Sequence, residues 1–127
     1  MNTKKFNDLV ETCRILAKDI DGRDFRHVSV ILNKNRLVSI GTNIRKSHPE
    51  AIAKGYRFDE PHSELRAYRK VPYYMRDKNL TLVNFRFNKQ GELRLAKPCL
   101  KCSAWCDSIF RHIYWSTDKG SFTNAKS

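Results

Sequence analysis

The stretch Pro61-His62-Ser63-Glu64-Leu65-Arg66 places a histidine and a glutamate two residues apart at the start of a predicted helix. Proline is well tolerated at the first helical position, because the N–H it lacks would have no intrahelical partner there. We therefore expect this helix to span residues 61–70. In its first turn, the Glu64 carboxylate is predicted to reach a group bound by His62 without itself binding that group.

A second motif is Pro98-Cys99-Leu100-Lys101-Cys102, where Pro98 predicts the start of another helix. It contains two of the 4 cysteines, at the spacing that metal thiolates use inside cells. This spacing favours a reduced protein over one with two disulfides, and we expect a cytoplasmic location. Cys13 and Cys106 lie beside apolar residues on predicted helix faces, so both are predicted to be buried core residues.

Together these motifs resemble the His-x-Glu and Pro-Cys-x-x-Cys signature of zinc-dependent nucleobase deaminases. Gly41-Thr42-Asn43 is similar to the Gly-x-Asn that precedes the histidine motif in cytidine, deoxycytidylate and tRNA adenosine deaminases. The resemblance extends over about residues 24–116. The runs Gly41–Pro49 and Lys97–Cys102 are also similar to small uncharacterised deaminases of viruses, including bacteriophages. That second likeness implies a virus-encoded protein, a fold and a metal, but no substrate.

The resemblance implies that His62, Cys99 and Cys102 bind Zn²⁺ and that Glu64 is the catalytic residue. Zinc takes imidazole and thiolate ligands, and a catalytic ion keeps three protein ligands so that water fills the fourth position. One histidine and two cysteines supply that set, so we expect one ion per chain with a bound water. Glu64 is expected to move protons from the water to the ring N3 and to the departing amine, so that cytosine becomes uracil.

The resemblance also implies contacts to the substrate. Asn43 is expected to touch the base or its sugar, and the backbone near Pro61 and Ser63 is expected to frame the pocket. Trp115 lies in the region that, in polynucleotide deaminases of this superfamily, meets the base flanking the target. A tryptophan at a strand end is also typical of a core position, and both interpretations of Trp115 stay open.

Hydrophobic periodicity predicts the order helix, strand, strand, helix, strand, helix, strand. The segments other than the motif helices are residues 6–20 (helix), 28–32 and 37–40 (a hairpin), 80–87 and 113–116 (strands). A short extended segment at 92–95 and a last strand near 121–124 complete the prediction. Together with the resemblance, this order implies the fold class α/β, a cytidine deaminase-like three-layer α/β/α domain with a mixed sheet of four to five strands, spanning residues 1–127 as one domain. Its short final connection is similar to the hairpin-ended branch of nucleoside deaminases and bacterial toxin deaminases.

The charge balance indicates the partner, since 25 Lys and Arg against 13 Asp and Glu give a net charge of +12. A positive surface attracts phosphate. The predicted loop at residues 44–60 interleaves basic side chains with Tyr56 and Phe58, a pattern that suits single-stranded nucleic acid and equally suits rings packed on the core. The predicted nucleic-acid contacts of this loop are Arg45, Lys46 and Arg57. Tyr73, Tyr74 and Arg76 are candidates to extend that surface. No apolar run is long enough to span a bilayer, so no membrane partner is predicted. No protein partner is predicted either.

Three functions fit these observations. The favoured one is deamination of cytosine in single-stranded DNA or RNA, which the charge and the basic, aromatic loop support. The alternative is an enzyme acting on a free nucleotide or nucleoside such as deoxycytidylate or cytidine, which needs to bind only one phosphate or none. A remote third is a non-catalytic zinc module that binds nucleic acid, and it predicts that Glu64→Gln leaves the function intact.

Overall fold

The computed structural model describes residues 1–18, 26–43, 62–76, 79–98 and 100–124, without the side chains of residues 100–102. The helices of this part are α1 (Thr3–Lys18), α2 (Ser63–Arg69) and α3 (Leu100–Ile109). The strands are β1 (Arg26–Asn33), β2 (Arg36–Thr42), β3 (Leu80–Phe87), β4 (Leu93–Arg94), β5 (Phe110–Ser116) and β6 (Phe122–Asn124). Within these ranges no helix has both the length and the apolar character needed to cross a membrane.

The strands form one mixed sheet in the order β2-β1-β3-β5-β6. The pairs β2/β1, β1/β3 and β5/β6 are antiparallel, whereas β3 and β5 are parallel. Among the described residues the sheet contains six strands rather than the predicted four to five, because the extended segment at 92–95 pairs with the end of β3 as β4. The final strand forms a hairpin with β5, which confirms the hairpin-ended topology.

Alternating side chains of the central strands face two different helical layers. Val28, Val30 and Leu32 of β1 join the core cluster that contains the buried face of α1. Ile31 points the other way, into the cluster that includes residues of α2 and α3. Because successive strand residues face opposite sides of a sheet, α1 covers one face and the other two helices cover the opposite face. The predicted three-layer α/β/α architecture is confirmed.

The first helix carries the apolar stripe that its sequence predicts. Its buried residues recur every three or four positions, and they are Phe6, Leu9, Val10, Cys13 and Ala17. The rings of Phe6 and Phe85 are stacked with centroids 5.3 Å apart, which attaches α1 to β3. The predicted end of this helix at residues 19–20 lies outside the described residues.

Two predicted boundaries near the cysteine motif are displaced in the structure. The helix begins at Leu100 rather than at Pro98, and it ends directly at Ile109. Strand β5 begins at the next residue, Phe110, rather than at the predicted residue 113. Phe110 and Ile113 are three residues apart, which is a helical spacing, and the register of β5 against β3 is irregular at this point, so periodicity alone misplaced this junction.

Candidate active site

One row of four residues crosses the sheet beneath the start of α2. Ser29 of β1 pairs with Gly41 of β2 on one side and with Asn84 of β3 on the other. Asn84 in turn pairs with Trp115 of β5. Residues that are cross-strand neighbours share a face of the sheet, so this row forms the floor on which α2 rests.

Helix α2 packs unusually close to β2. A Cβ added at Gly41 would lie 2.5 Å from the carbonyl oxygen of Ser63, and closer still to the backbone nitrogen of Ala67. The hydroxyl of Ser39 donates to the Ala67 carbonyl at 2.8 Å, and the Lys70 ammonium donates to the Ile40 carbonyl at 3.0 Å. Only glycine permits this approach, and the approach holds the first turn of α2 over the row.

The Glu64 carboxylate belongs to a closed ring of buried polar side chains. The Asn84 amide donates from Nδ2 to Glu64 Oε2 at 3.1 Å, and its Oδ1 accepts from the Ser29 hydroxyl at 2.7 Å. The hydroxyls of Ser29 and Ser63 lie 2.7 Å apart, and Ser63 Oγ lies 3.3 Å from Glu64 Oε1. Since Ser29 gives its one proton to Asn84, the one Ser63 proton goes either to Ser29 or to Glu64. All four side chains are buried, with Glu64 only 6% exposed. The ring therefore holds the carboxylate, through the Asn84 amide on Oε2, in a site shielded from bulk water.

Asn84 also links Glu64 to the segment that carries the cysteine motif. Its Nδ2 lies 3.5 Å from the carbonyl oxygen of Ala96, two residues before Pro98. Ala96 is itself held by its backbone N–H, which donates to the Ser116 carbonyl at 2.9 Å. A residue advances the chain by at most about 3.6 Å, so the cysteine motif begins a short distance from the Glu64 carboxylate.

Trp115 lines a cavity beside this segment. The cavity has a volume of about 330 Å³ and is bordered by Pro98, by Ser103 and Asp107 of α3, and by Trp115. The indole is only 7% exposed, and the Lys97 ammonium lies 5.9 Å from the centroid of its ring. Trp115 is therefore part of the core and at the same time forms part of the wall of a cavity next to Pro98.

Asn43 and His62 occupy the ends of the elements on either side of the undescribed stretch 44–61. Asn43 exchanges two hydrogen bonds with the His27 backbone: its Oδ1 accepts from that N–H at 3.0 Å, and its own N–H donates to that carbonyl at 3.2 Å. His62 is half-buried, has an extended backbone and directly precedes α2. Its carbonyl accepts the N–H of Arg66 at 3.2 Å, which closes the first helical turn.

A comparison with solved structures identifies the architecture. The crystal structure of cytidine deaminase from Mycobacterium leprae superposes with a TM-score of 0.59 at 14% sequence identity, over 92% of this chain and 91% of that one. The chain has the cytidine deaminase-like fold. No protein-family model matches the sequence, and no curated protein matches it. At this level of identity the likeness to a cytidine deaminase concerns the fold, and the chemistry has to be argued from the residues.

The donor set of the two motifs suits zinc in this fold. His62 directly precedes α2, and Cys102 falls in the first turn of α3. An imidazole and two thiolates are the ligands that a catalytic zinc site uses. Among the described side chains, which include neither cysteine of the motif, no three potential ligands form a metal-binding group. The assignment of His62, Cys99 and Cys102 thus remains a prediction.

The other two cysteines are buried, as predicted. Cys13 and Cys106 are each 0% exposed and belong to the two core clusters. Burial raises the pKa of the Cys13 thiol from 9.0 to about 12, so this sulfur stays protonated at neutral pH. Cys13 also lies in the core cluster under α1, on the face of the sheet opposite to α2, so it is not placed to share a metal ion with His62.

Several predicted site residues lie outside the described part of the chain. They are Pro61, Cys99, Arg45, Lys46 and Arg57, together with the side chain of Cys102. Two functional candidates were missed by the motif search, namely Ser29 and Asn84. The sequence did carry a signal for both, because each is a polar residue with an apolar strand residue on either side.

Proposed function

We propose that this protein is a zinc-dependent hydrolytic deaminase that converts cytosine to uracil in single-stranded DNA or RNA. The observation that carries the proposal is the position of Glu64. Its buried carboxylate lies at the start of α2 and is connected through the Asn84 amide to the segment entering Pro98. A carboxylate shielded from solvent between the two halves of the motif is suited to moving protons on a bound base.

Deamination adds a water oxygen to C4 of cytosine and releases the amino nitrogen as ammonia. His62, Cys99 and Cys102 would hold a zinc ion, which when bound supplies the Lewis acidity that activates water near neutral pH. Glu64 accepts a proton from the attacking water and delivers it to the ring N3. It then carries the remaining hydroxyl proton to the amine, and the C4–N bond breaks.

The Glu64 carboxylate retains the acceptor capacity that this role needs. Each ionised oxygen has two lone-pair sites, and the described hydrogen bonds occupy at most one site on each, from Ser63 on Oε1 and from Asn84 on Oε2. The free sites are available to a water and to the substrate. The ring thus orients the carboxylate without saturating it.

The preference for a polymer rests on charge and on exposed rings. The net charge of +12 favours binding to phosphates. Tyr73 and Tyr74, just beyond α2, are 84% and 75% exposed. The Arg76 guanidinium lies 4.4 Å from the centroid of the Tyr73 ring and donates to the Val71 carbonyl, so a cation is held against an exposed ring. Exposed aromatics beside basic groups are a surface on which unpaired bases stack.

A free nucleoside is the second candidate substrate, and the fold favours it. One solved structure that superposes on this chain is a cytidine deaminase. The described lining of the cavity beside Trp115 includes neither Glu64 nor His62, so the cavity does not decide between a nucleoside and a polymer. A nucleoside enzyme needs no wide positive surface, which is the feature that separates the two candidates.

One panel tests both candidates. Purified protein is offered single-stranded DNA, RNA, deoxycytidylate and cytidine, and uracil is measured by mass spectrometry. We expect uracil first in a polymer, at a rate that falls as salt is added. If only deoxycytidylate or cytidine were turned over, the proposed substrate would be the free nucleotide or nucleoside and not the polymer.

The matched control for this panel is Glu64→Gln, which keeps the size of the side chain and removes its basicity. We expect a loss of more than about 100-fold in turnover, as for removal of a general acid–base group. If the wild type turned over none of these substrates and Glu64→Gln bound nucleic acid as tightly as wild type, the results would instead support a non-catalytic binding module.

A further inference from the structure

Asn84 makes three contacts from one buried amide, and each contact reaches a different part of the chain. Oδ1 accepts from the hydroxyl of Ser29 on β1. Nδ2 faces the carboxylate of Glu64 on α2 and the carbonyl of Ala96 ahead of Pro98. A single side chain therefore fixes the distance between the glutamate helix and the segment that enters the cysteine motif.

The chemistry of an amide matches these three partners. A primary amide offers an acceptor oxygen and two N–H donors. Around Asn84 stand one hydroxyl, which donates, and two oxygen acceptors. An aspartate in this position offers no donor when ionised, and it would face the Glu64 carboxylate with a like charge. A leucine of similar size offers neither function. Asparagine is the side chain of this size that satisfies all three partners.

We propose that Asn84 is a positioning residue, which holds the Glu64 carboxylate in place relative to the backbone leading into Pro98. Ser29 orients the amide by donating to its oxygen, so that the two N–H groups face their acceptors. The inference rests on the proposed function, because it assigns to Asn84 a role in the proton transfers of Glu64. Since Asn84 is only 4% exposed, water has little access to replace the amide if it is removed.

Asn84→Leu tests the proposal through the steady-state kinetics of the full chain. We expect kcat to fall by about 10- to 100-fold, the effect of losing one hydrogen bond to a charged group. KM should change by less than about twofold, since Asn84 acts on the proton-transfer group and not on the bound base. Ser29→Ala is a smaller change that releases the amide, and we expect kcat to fall by about three- to tenfold.

Ser39→Ala is the matched control. Ser39 is another buried serine of the sheet, and its hydroxyl donates to the Ala67 carbonyl of the same helix without touching Glu64. If Asn84 and Ser29 merely stabilised the packing of α2, Ser39→Ala would lower kcat as much as Ser29→Ala. We expect Ser39→Ala to lower the melting temperature and to keep kcat within about twofold.

A double-mutant cycle on unfolding makes the contact testable without any activity. The equilibrium constants of unfolding are measured for wild type, Asn84→Leu, Glu64→Ala and the double variant. We expect the change in the unfolding constant of the double variant to differ from the product of the two single changes by at least about threefold. Independent effects would overturn the proposal, whatever the kinetics.

The outcomes separate this inference from the proposed function. Coupling between Asn84 and Glu64 in unfolding, together with a loss of kcat in Asn84→Leu, supports both the positioning role and the proposed function. An active wild type whose Asn84→Leu and Ser29→Ala variants keep kcat within about twofold overturns the positioning role alone. Should Asn84→Leu fail to fold, Ser29→Ala decides the kinetic arm by itself. A wild type that shows the coupling but deaminates nothing overturns the proposed function and supports the Asn84 contact.

Discussion

Gly41 of β2 and Ala67 of α2 approach so closely that the backbone of the helix fills the space a side chain at position 41 would need. Backbone atoms cannot rotate away as a side chain does, so Gly41→Ala must push α2 off the sheet. We expect a loss of about 2 kcal/mol or more in the free energy of unfolding. Thermal and urea unfolding measure it, and activity should fall with it because Glu64 moves with the helix.

Gly120→Ala is the control for this prediction. Gly120 has a φ of +78° and open space around its Cα, so an alanine there costs about 1 kcal/mol for its left-handed backbone and touches nothing. Turnover per folded molecule should be unchanged. A Gly41→Ala protein as stable as wild type would mean that β2 and α2 lie farther apart than described.

Zinc content depends on the motif cysteines and not on the buried ones. Cys99→Ala is expected to lower bound zinc from about one atom per chain to well below half of that, because it removes one of three protein ligands. Cys13→Ala should keep the wild-type content, since the Cys13 thiol is buried in the core under α1. Elemental analysis of the dialysed proteins by mass spectrometry measures the zinc content of both variants. Full zinc content in Cys99→Ala would refute this ligand assignment.

The exposed rings of Tyr73 and Tyr74 are predicted to bind bases. Replacing both by alanine should weaken binding of a single-stranded oligonucleotide by about tenfold or more, given about 1–3 kcal/mol for each stacked base. The dependence on salt should not change, because no charge is removed. Fluorescence anisotropy at several salt concentrations measures both quantities.

Ile15→Ala provides the comparison for the tyrosine pair. Ile15 is 64% exposed on α1, on the other side of the sheet, and its removal should leave oligonucleotide affinity unchanged. Equal effects of the two changes, or no effect of either, would argue against a base-stacking surface beyond α2.

Alkaline pH is predicted to destabilise the protein through Cys13. Its pKa is raised by burial to about 12 in the folded state, whereas in the unfolded chain it returns to about 9. The folded state therefore keeps a proton that the unfolded state loses, so this contribution is complete below pH 9 and declines as the pH rises toward 12. The decline is about 1.4 kcal/mol per pH unit in that window.

Cys13→Ala isolates this effect from the tyrosines and lysines that titrate in the same range. Between about pH 8 and about pH 10, the free energy of unfolding should fall by about 1.4 kcal/mol less in the variant than in wild type. Urea unfolding at the two pH values measures the difference. Parallel curves would show that the Cys13 thiol ionises as readily in the folded protein as in the unfolded one.

The helices and most strands of this fold were predictable because their patterns are local, whereas the three-layer arrangement was implied by the resemblance to cytidine deaminases. The stripe of α1 and the alternating strands follow directly from periodicity, and the turn before Phe122 marked the last strand. The junction between α3 and β5 was not predictable, since the chain passes from helix to strand without an intervening turn residue. The strand β4 depends on a pairing partner, which a local pattern does not contain.

For the site, the sequence motifs predicted Glu64 but not the residues that hold it. Ser29 and Asn84 lie 55 positions apart, and only the register of β1 against β3 brings them together under α2. The sequence shows that each is a polar residue flanked by apolar ones. The contact between them depends on the pairing of β1 with β3. The role of Trp115 likewise needed its place in the row beside Asn84.

The same polar pair has a consequence for how the strands align. If β1 slipped by one residue against β3, Ser29 would turn toward the apolar layer beneath α1, and Asn84 would face an aliphatic side chain. Each buried polar group left without a hydrogen-bond partner would cost about 1–3 kcal/mol. Long runs of valine and leucine tolerate slippage, and two hydrophilic side chains in the middle of them select a single alignment. The groups that hold Glu64 therefore also penalise misalignment of the two central strands while the chain folds.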